Sequence, residues 1–350
     1  MLMFLVIVIG IVLLYLLFWP VPVRPAKWKP PSAPKLKGVY QSNQNLAKAE
    51  LLATGGHGPE DVIVDSQGWL YAGLENGQIV RMQGDGSRLE NIVSTGGRPL
   101  GLAFDADDNL LIADADKGLL SVNAQGEISV LVDRFEGRAL KFTNHLDVAA
   151  DGTVYFSESS DRFPLSDYVG DIIESRANGR LLAYDPDSGE TRLVLDGVHF
   201  ANGVAISPDQ TFLLLAETSR YRLQRVWLSG PKAGQAEIFV DNLPGFPDNL
   251  HGNGQGLFWL ALSSTRKSIV DNTAGRPFVR KILYRLPDAI QPKPERHGIV
   301  LALDSDGQVV HNLQDATGKV GITSGAVEHE GMVYVGSLED EHIARVPVPS

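Results

Sequence analysis

Glu60, Asn144, Asn202 and Asp248 lie far apart in the chain, yet each opens the same short pattern: a polar residue, alternating apolar positions, a tight turn and a second apolar strand. All four side chains end in oxygen, and two are anionic. Carboxylates brought together in a dry place repel and raise each other's pKa unless a cation sits between them. Oxygen donors without His or Cys select a hard cation. Ca²⁺ suits this set better than Mg²⁺, because it accepts neutral amide oxygens and irregular geometry. Four protein oxygens leave positions for water and substrate, so such an ion would polarise a carbonyl or phosphoryl oxygen. Taken singly, an Asn or Asp here is a turn or strand-start residue. The metal reading rests on four of them recurring at equivalent points.

The pattern that positions them occurs in Glu60–Gly73, Leu100–Asp114, Asn144–Glu158, Asn202–Glu217, Asp248–Leu262 and Ser324–Ser337. Pairs such as Val62/Val64, Leu102/Phe104, Leu146/Val148 and Val204/Ile206 have the period of two that marks a strand. Further short strands are expected at Gly77–Met82, Gly118–Asn123, Gly179–Tyr184 and Lys281–Leu286, about four strands to each copy. Repeats of ~40–50 residues are those of propeller blades. The expectation is an all-β, six-bladed β-propeller over residues 46–350, closed by pairing a strand near Leu46–Ala53 with the last blade. Ser159–Arg176 and part of Ser263–Leu313 are wide gaps, read as loops over one end of the ring.

Residues 1–19 have another solvent. Leu2 to Trp19 carry no charge, and eighteen residues at ~1.5 Å rise give about 27 Å, close to a hydrocarbon core. With no cationic start and no A-x-A-like site, the run reads as one N-terminal transmembrane helix, a cleaved signal being the alternative. Residues 20–45, with prolines at 20, 22, 25, 30, 31 and 34, read as an extended tether. Lys and Arg after the span favour a cytoplasmic propeller. A weak calcium site fills best outside the cytosol, and on that ground the propeller is expected on the periplasmic, lumenal or extracellular side.

Composition closes other routes. The net charge of −11 repels phosphate backbones, which weighs against nucleic-acid binding, and the absence of Cys excludes disulfides, thiolate metal sites and a Cys nucleophile. No Ser stands in a G-x-S-x-G context, and TGGHGPE lacks the Lys of a phosphate loop. His145 and His251 are expected to point away from the channel by strand parity, and His57 could reach its mouth. Glu158 and Glu217 read as solvated or loop-bonding. Arg266, Lys267, Arg276, Arg280 and Lys281 form either a solvated loop or one resting on anionic lipid.

The segments GPEDV (58–62), GRPLGLAFD (97–105), LLIADADKGLL (110–120), FTNHLD (142–147), DGTVYFSESS (151–160), FANGVAIS (200–207) and NLPGFPDNL (242–250) together resemble the strictosidine synthase-like / adipocyte plasma membrane-associated protein family. The wider superfamily includes gluconolactonase, paraoxonase and diisopropyl fluorophosphatase, all calcium-bearing six-bladed propellers. The resemblance implies Glu60, Asn144, Asn202 and Asp248 as calcium ligands, with Asp248 also a base or nucleophile. Departures narrow what it implies. Ser324 or Gly325 stands where the synthase has its last-blade Glu, Leu100 and Ala115 where paraoxonase has His, and His145 where an Asp is usual. The expected function is a membrane-anchored, calcium-dependent hydrolase of small esters or lactones. The alternatives are a non-catalytic binding propeller with structural calcium and, remotely, strictosidine synthase-type condensation.

Overall fold

The computed structural model describes residues 1–349. Six four-stranded antiparallel sheets follow one another along the chain, and a two-stranded ribbon, Arg134–Phe135 with Arg138–Ala139, hangs beside them. The innermost strands, Val62–Val64, Pro99–Phe104, Thr143–Val148, Ala201–Ile206, Gly245–Gly252 and Thr323–His329, each touch the next and close a ring. The last blade takes its outer strand from the other end of the chain: Glu50–Ala53 pairs with His342–Pro347, Glu50 opposite Arg345. This is the expected six-bladed propeller with its expected closure.

The second strands of the blades are apolar on both faces because each blade packs between two others. In Leu110–Asp114, Leu110 and Ile112 pack with Ile63, Tyr71 and Ile79 of the first blade. Leu111 and Ala113 pack with Leu146, Phe156 and Leu182 of the third. At the inner strands the pairing slips soon after the first residue, between Pro99 and Gly101, Thr143 and Leu146, Ala201 and Val204, Pro247 and Leu250, and Thr323 and Ala326. Such bulges re-aim side chains that strict alternation would send elsewhere.

Before the ring, α1 covers Leu2–Phe18, seventeen residues with no buried side chain. At ~1.5 Å per residue it is about 26 Å long. No helix among the described residues is long and apolar enough to cross a membrane. Residues 20–45 lie against the propeller: Val23 is buried, the Trp28 N–H donates to Ala274 O at 3.2 Å, and the Arg220 guanidinium sits 4.2 Å from the Trp28 ring centre.

The two wide gaps hold helices rather than bare loops. They are α2 (Tyr168–Glu174) in the first, α3 (Ser268–Thr273) and α4 (Pro277–Tyr284) in the second. The expected strand at Lys281–Leu286 is therefore corrected. Pro277 starts a helix, and the third strand of the fifth blade is Gly298–Leu303. A short run such as Ile282–Tyr284 has no period long enough to tell helix from strand. The helices α2, α3 and α4 form a cap held by Arg280, which is buried and donates to Ile172 O, Ile173 O and Val270 O at 3.3, 2.9 and 3.1 Å. Just past α4, Arg285 donates to Trp19 O and Leu16 O at 2.7 and 2.8 Å, which pins the end of α1 to the cap.

Candidate metal centre

Glu60, Asn144, Asn202 and Asp248 all line one cavity of about 620 Å³ under the cap. Each is buried, with 3–4% of its surface exposed. Neighbours hold the two amides in one sense. Asn144 Nδ2 donates to Ser159 Oγ at 2.9 Å. Asn202 Nδ2 donates to Thr218 Oγ1 at 3.2 Å and to Asp248 Oδ1 at 2.7 Å. With their N–H groups engaged, Asn144 Oδ1 and Asn202 Oδ1 are left as buried acceptors with no partner. A buried carbonyl oxygen without a donor is costly, and a cation is what such an oxygen can satisfy.

The carboxylates point the same way. Burial, with added repulsion from Asp248 and Asp61, pushes Glu60 up to about 8 against the pull of Arg98. Burial raises Asp248 to about 7. Arg98 Nη2 stands 3.4 Å from Glu60 Oε2, and its other nitrogen is spent on Gly58 O and Gly73 O. The remaining two first positions complete the ring differently: Leu100 is buried apolar wall, and Ser324 Oγ donates to Glu60 O at 2.5 Å, fixing the Glu60 backbone. Two amide oxygens and two carboxylates suit a hard divalent cation such as Ca²⁺.

A second layer lies deeper. His145 and His251 do not point away from the channel; the bulges reverse the parity expected for them. Their rings meet edge to face at 4.9 Å. His251 Nε2 is 2.6 Å from Asp61 Oδ1 and His145 Nε2 is 3.5 Å from Asp61 Oδ2. Ligand atoms of the three residues lie within 4.8 Å of one another, as a metal site requires. The hydrogen bonds oppose that use. His145 Nδ1 accepts the Val204 N–H at 3.0 Å, so the ring proton sits on Nε2, the nitrogen that faces Asp61. A protonated nitrogen is no ligand. Burial would raise the Asp61 carboxyl, but His251 and His145 hold it well below the usual range; its oxygens also accept the Val62 and Leu102 N–H groups at 2.9 and 3.0 Å. Asp61 and His251 form a hydrogen-bonded strut beneath the oxygen ring, with the His145 ring packed against it and its Nε2 left without a hydrogen-bond partner.

Asn249 was missed in the sequence. It is fully buried, both its side-chain polar atoms lack partners, and it shares the bulge with Asp248. The signal was present as consecutive polar pairs at one repeat position: Glu60-Asp61, Asn144-His145 and Asp248-Asn249. His57 is exposed and pairs with Glu341 at 2.9 Å. Glu158 and Glu217 are not solvated. They are buried and bond to a loop and to the next strand: Glu158 accepts the Lys141 N–H and Arg180, and Glu217 accepts the His199 N–H and Arg222.

Known proteins share this architecture. The strictosidine synthase family profile matches residues 144–231, and that of the strictosidine synthase-like N-terminal region matches 38–82. Among solved structures, a gluconolactonase from Xanthomonas campestris has a TM-score of 0.64 at 18% identity, over 94% of this chain and 99% of that one. A calcium-binding protein, regucalcin, from Agrobacterium tumefaciens has 0.59 at 16%, over 87% and 93%. At such identities these two share the fold alone. The curated relatives are nearer. The adipocyte plasma membrane-associated protein of Salmo salar is 34% identical over 93% of this chain and 84% of its own length; that of Rattus norvegicus is 33% identical over 94% of both. Strictosidine synthase-like protein 13 of Arabidopsis thaliana is 34% identical over 83% and 78%. One residue in three kept along nearly the whole propeller is more than a shared fold requires, and the chain belongs to the strictosidine synthase-like family that includes the adipocyte plasma membrane-associated proteins.

Proposed function

We propose that this chain is a membrane-attached, calcium-dependent hydrolase of small esters or lactones, with Asp248 as its base or nucleophile. The observation that carries the reading is the pair of partnerless buried amide oxygens, on Asn144 and Asn202, beside two buried carboxylates in one cavity. Glu60, Asn144, Asn202 and Asp248 would hold the ion. Bound there, Ca²⁺ would supply Lewis-acid polarisation of a substrate carbonyl. Asp248, oriented by the Asn202 amide, takes the proton of an attacking water and passes it to the departing alkoxide, or attacks the carbonyl carbon itself, expelling the alkoxide and leaving an acyl-aspartate that water then hydrolyses. Phe142, Phe200 and Phe246 on the cavity wall receive an apolar acyl or aryl group and exclude water. Ser324 in the last blade offers no carboxylate, so amine condensation is not supported.

Attachment runs through α1, whose uncharged and exposed surface needs an apolar medium. A two-carboxylate, two-amide site of modest affinity suits the calcium-rich periplasmic, lumenal or extracellular side. Protease protection in sealed vesicles tests that side.

Phenyl acetate and aromatic lactones, offered to the full chain with calcium and after chelation, test the chemistry. Turnover should need calcium, and Asp248→Asn should lower kcat at least about 100-fold. Full activity of Asp248→Asn with calcium bound would remove its role. A second reading has its own support: no His lines the cavity, and Arg98 already engages Glu60. On that reading the cavity binds a ligand without turnover, and calcium raises Tm while hydrolysis is absent.

A further inference from the structure

The helix α4 buries a cation and exposes an aromatic ring. Its guanidinium, Arg280, is buried on three carbonyls, while Phe278 stands outside with 55% of its surface exposed. Ile269 of α3 and Ile290 of the loop after α4 are also exposed, at 42% and 64%. In the same segment Arg276 and Lys293 are exposed and Lys281 is half-buried, while Lys267 is paired with Glu295 and Asp288 is an exposed acid. Across the cavity mouth the rim is acidic, with exposed Glu75, Asp116 and Glu339. Apolar side chains among cations are the pattern of a surface that rests in a lipid interface. Arg285 then fixes where that interface lies: it grips the last carbonyls of α1 one residue beyond α4.

We propose that the outer face of the cap, Ile269, Phe278 and Ile290 with Arg276, Lys281 and Lys293, docks on an anionic lipid bilayer. The cavity mouth then opens beside the membrane, and its substrates are amphiphiles drawn from the bilayer. Tyr168 and Lys293 line the cavity and are themselves exposed, so the cap reaches from the cavity to the proposed docking face. The acidic rim faces water. The proposal rests on the attachment through α1 and deepens the hydrolase reading.

The chain has no Cys, so a single introduced thiol reports one place. The full chain is reconstituted in phosphatidylcholine vesicles with and without phosphatidylserine, carrying Ile269→Cys, Phe278→Cys, Ile290→Cys or Asp116→Cys, each spin-labelled. Labels at 269, 278 and 290 should relax with oxygen and be shielded from a water-soluble nickel chelate, more so with phosphatidylserine. The label at 116 should show the reverse. Equal access of the chelate to all four overturns the docking, whatever the activity. The double variant Phe278→Glu, Ile290→Glu should lose at least about tenfold in turnover of a long-chain acyl ester presented in vesicles, with phenyl acetate hydrolysis unchanged. An equal loss on both substrates, or on neither, overturns the entry route. Absence of phenyl acetate hydrolysis in the unaltered chain instead removes the enzymatic reading and leaves the depth measurement to decide the docking alone.

Discussion

Glu60 and Asp248 bind protons in the folded chain that they would release when unfolded, because burial raises them to about 8 and about 7 from 4.5 and 3.8. For groups raised on folding, the stabilisation is complete below the unfolded pKa and is lost as pH climbs through the folded one. Chelated protein should therefore melt several degrees lower at about pH 9 than at about pH 5. Calcium should cancel most of that fall by taking the place of the protons. Differential scanning calorimetry across that range checks it. A profile equally flat with chelator and with calcium would mean the two carboxylates do not share an ion. The inner strut should not respond to zinc, since its His145 nitrogen toward Asp61 already bears hydrogen.

At the scale of elements, the cap stands on Arg280. It donates to the last carbonyls of α2 and to α3, groups that a helix end leaves without partners. Arg280→Ala would take the guanidinium from three half-buried carbonyls, of which Val270 O keeps only the Thr273 hydroxyl, at about 2 kcal/mol of local stability. Hydrogen exchange should quicken in 168–174 and 268–285 while the inner strands stay protected. Quickening spread evenly over all six blades would show that the cap is not a separate unit. The bulges act at the same scale. In the third and fifth blades they shift the parity after Thr143 and Pro247, so that His145 and His251 meet Asp61 beneath the oxygen ring. Glycine shares that second layer: a Cβ on Gly325 would meet Asp61 Oδ1 at 2.8 Å, so a side chain there would press on the strut.

The whole molecule is closed by one short strand. Glu50–Ala53 completes the last blade and buries Leu52 against Val62, Tyr334 and Ile343. A chain starting at residue 54 leaves the edge of His342–Pro347 unpaired and the ring unlocked. It should aggregate or melt without a cooperative transition, whereas one starting at residue 38 should still melt cooperatively, at lower temperature for want of the Trp28 and Val23 contacts. Circular dichroism of the two separates these outcomes. If both melt alike, closure does not depend on the N-terminal strand.

The repeat made the propeller and the four oxygen donors legible, because equivalence of Glu60, Asn144, Asn202 and Asp248 is a fact about spacing and needs no coordinates. Closure by a strand near residue 50 followed from the same count. The directions of His145 and His251 were not legible. A bulge is a property of two paired strands, and parity along one strand alone points those side chains the wrong way. The helix at Pro277–Tyr284 was hidden for a related reason: a run of eight residues carries no decisive period, and only the carbonyls of α2 and α3 around Arg280 settle which face turns inward. What one chain segment states by itself is which residues can serve. Where they meet depends on contacts between segments distant in order, and those only the folded ring supplies.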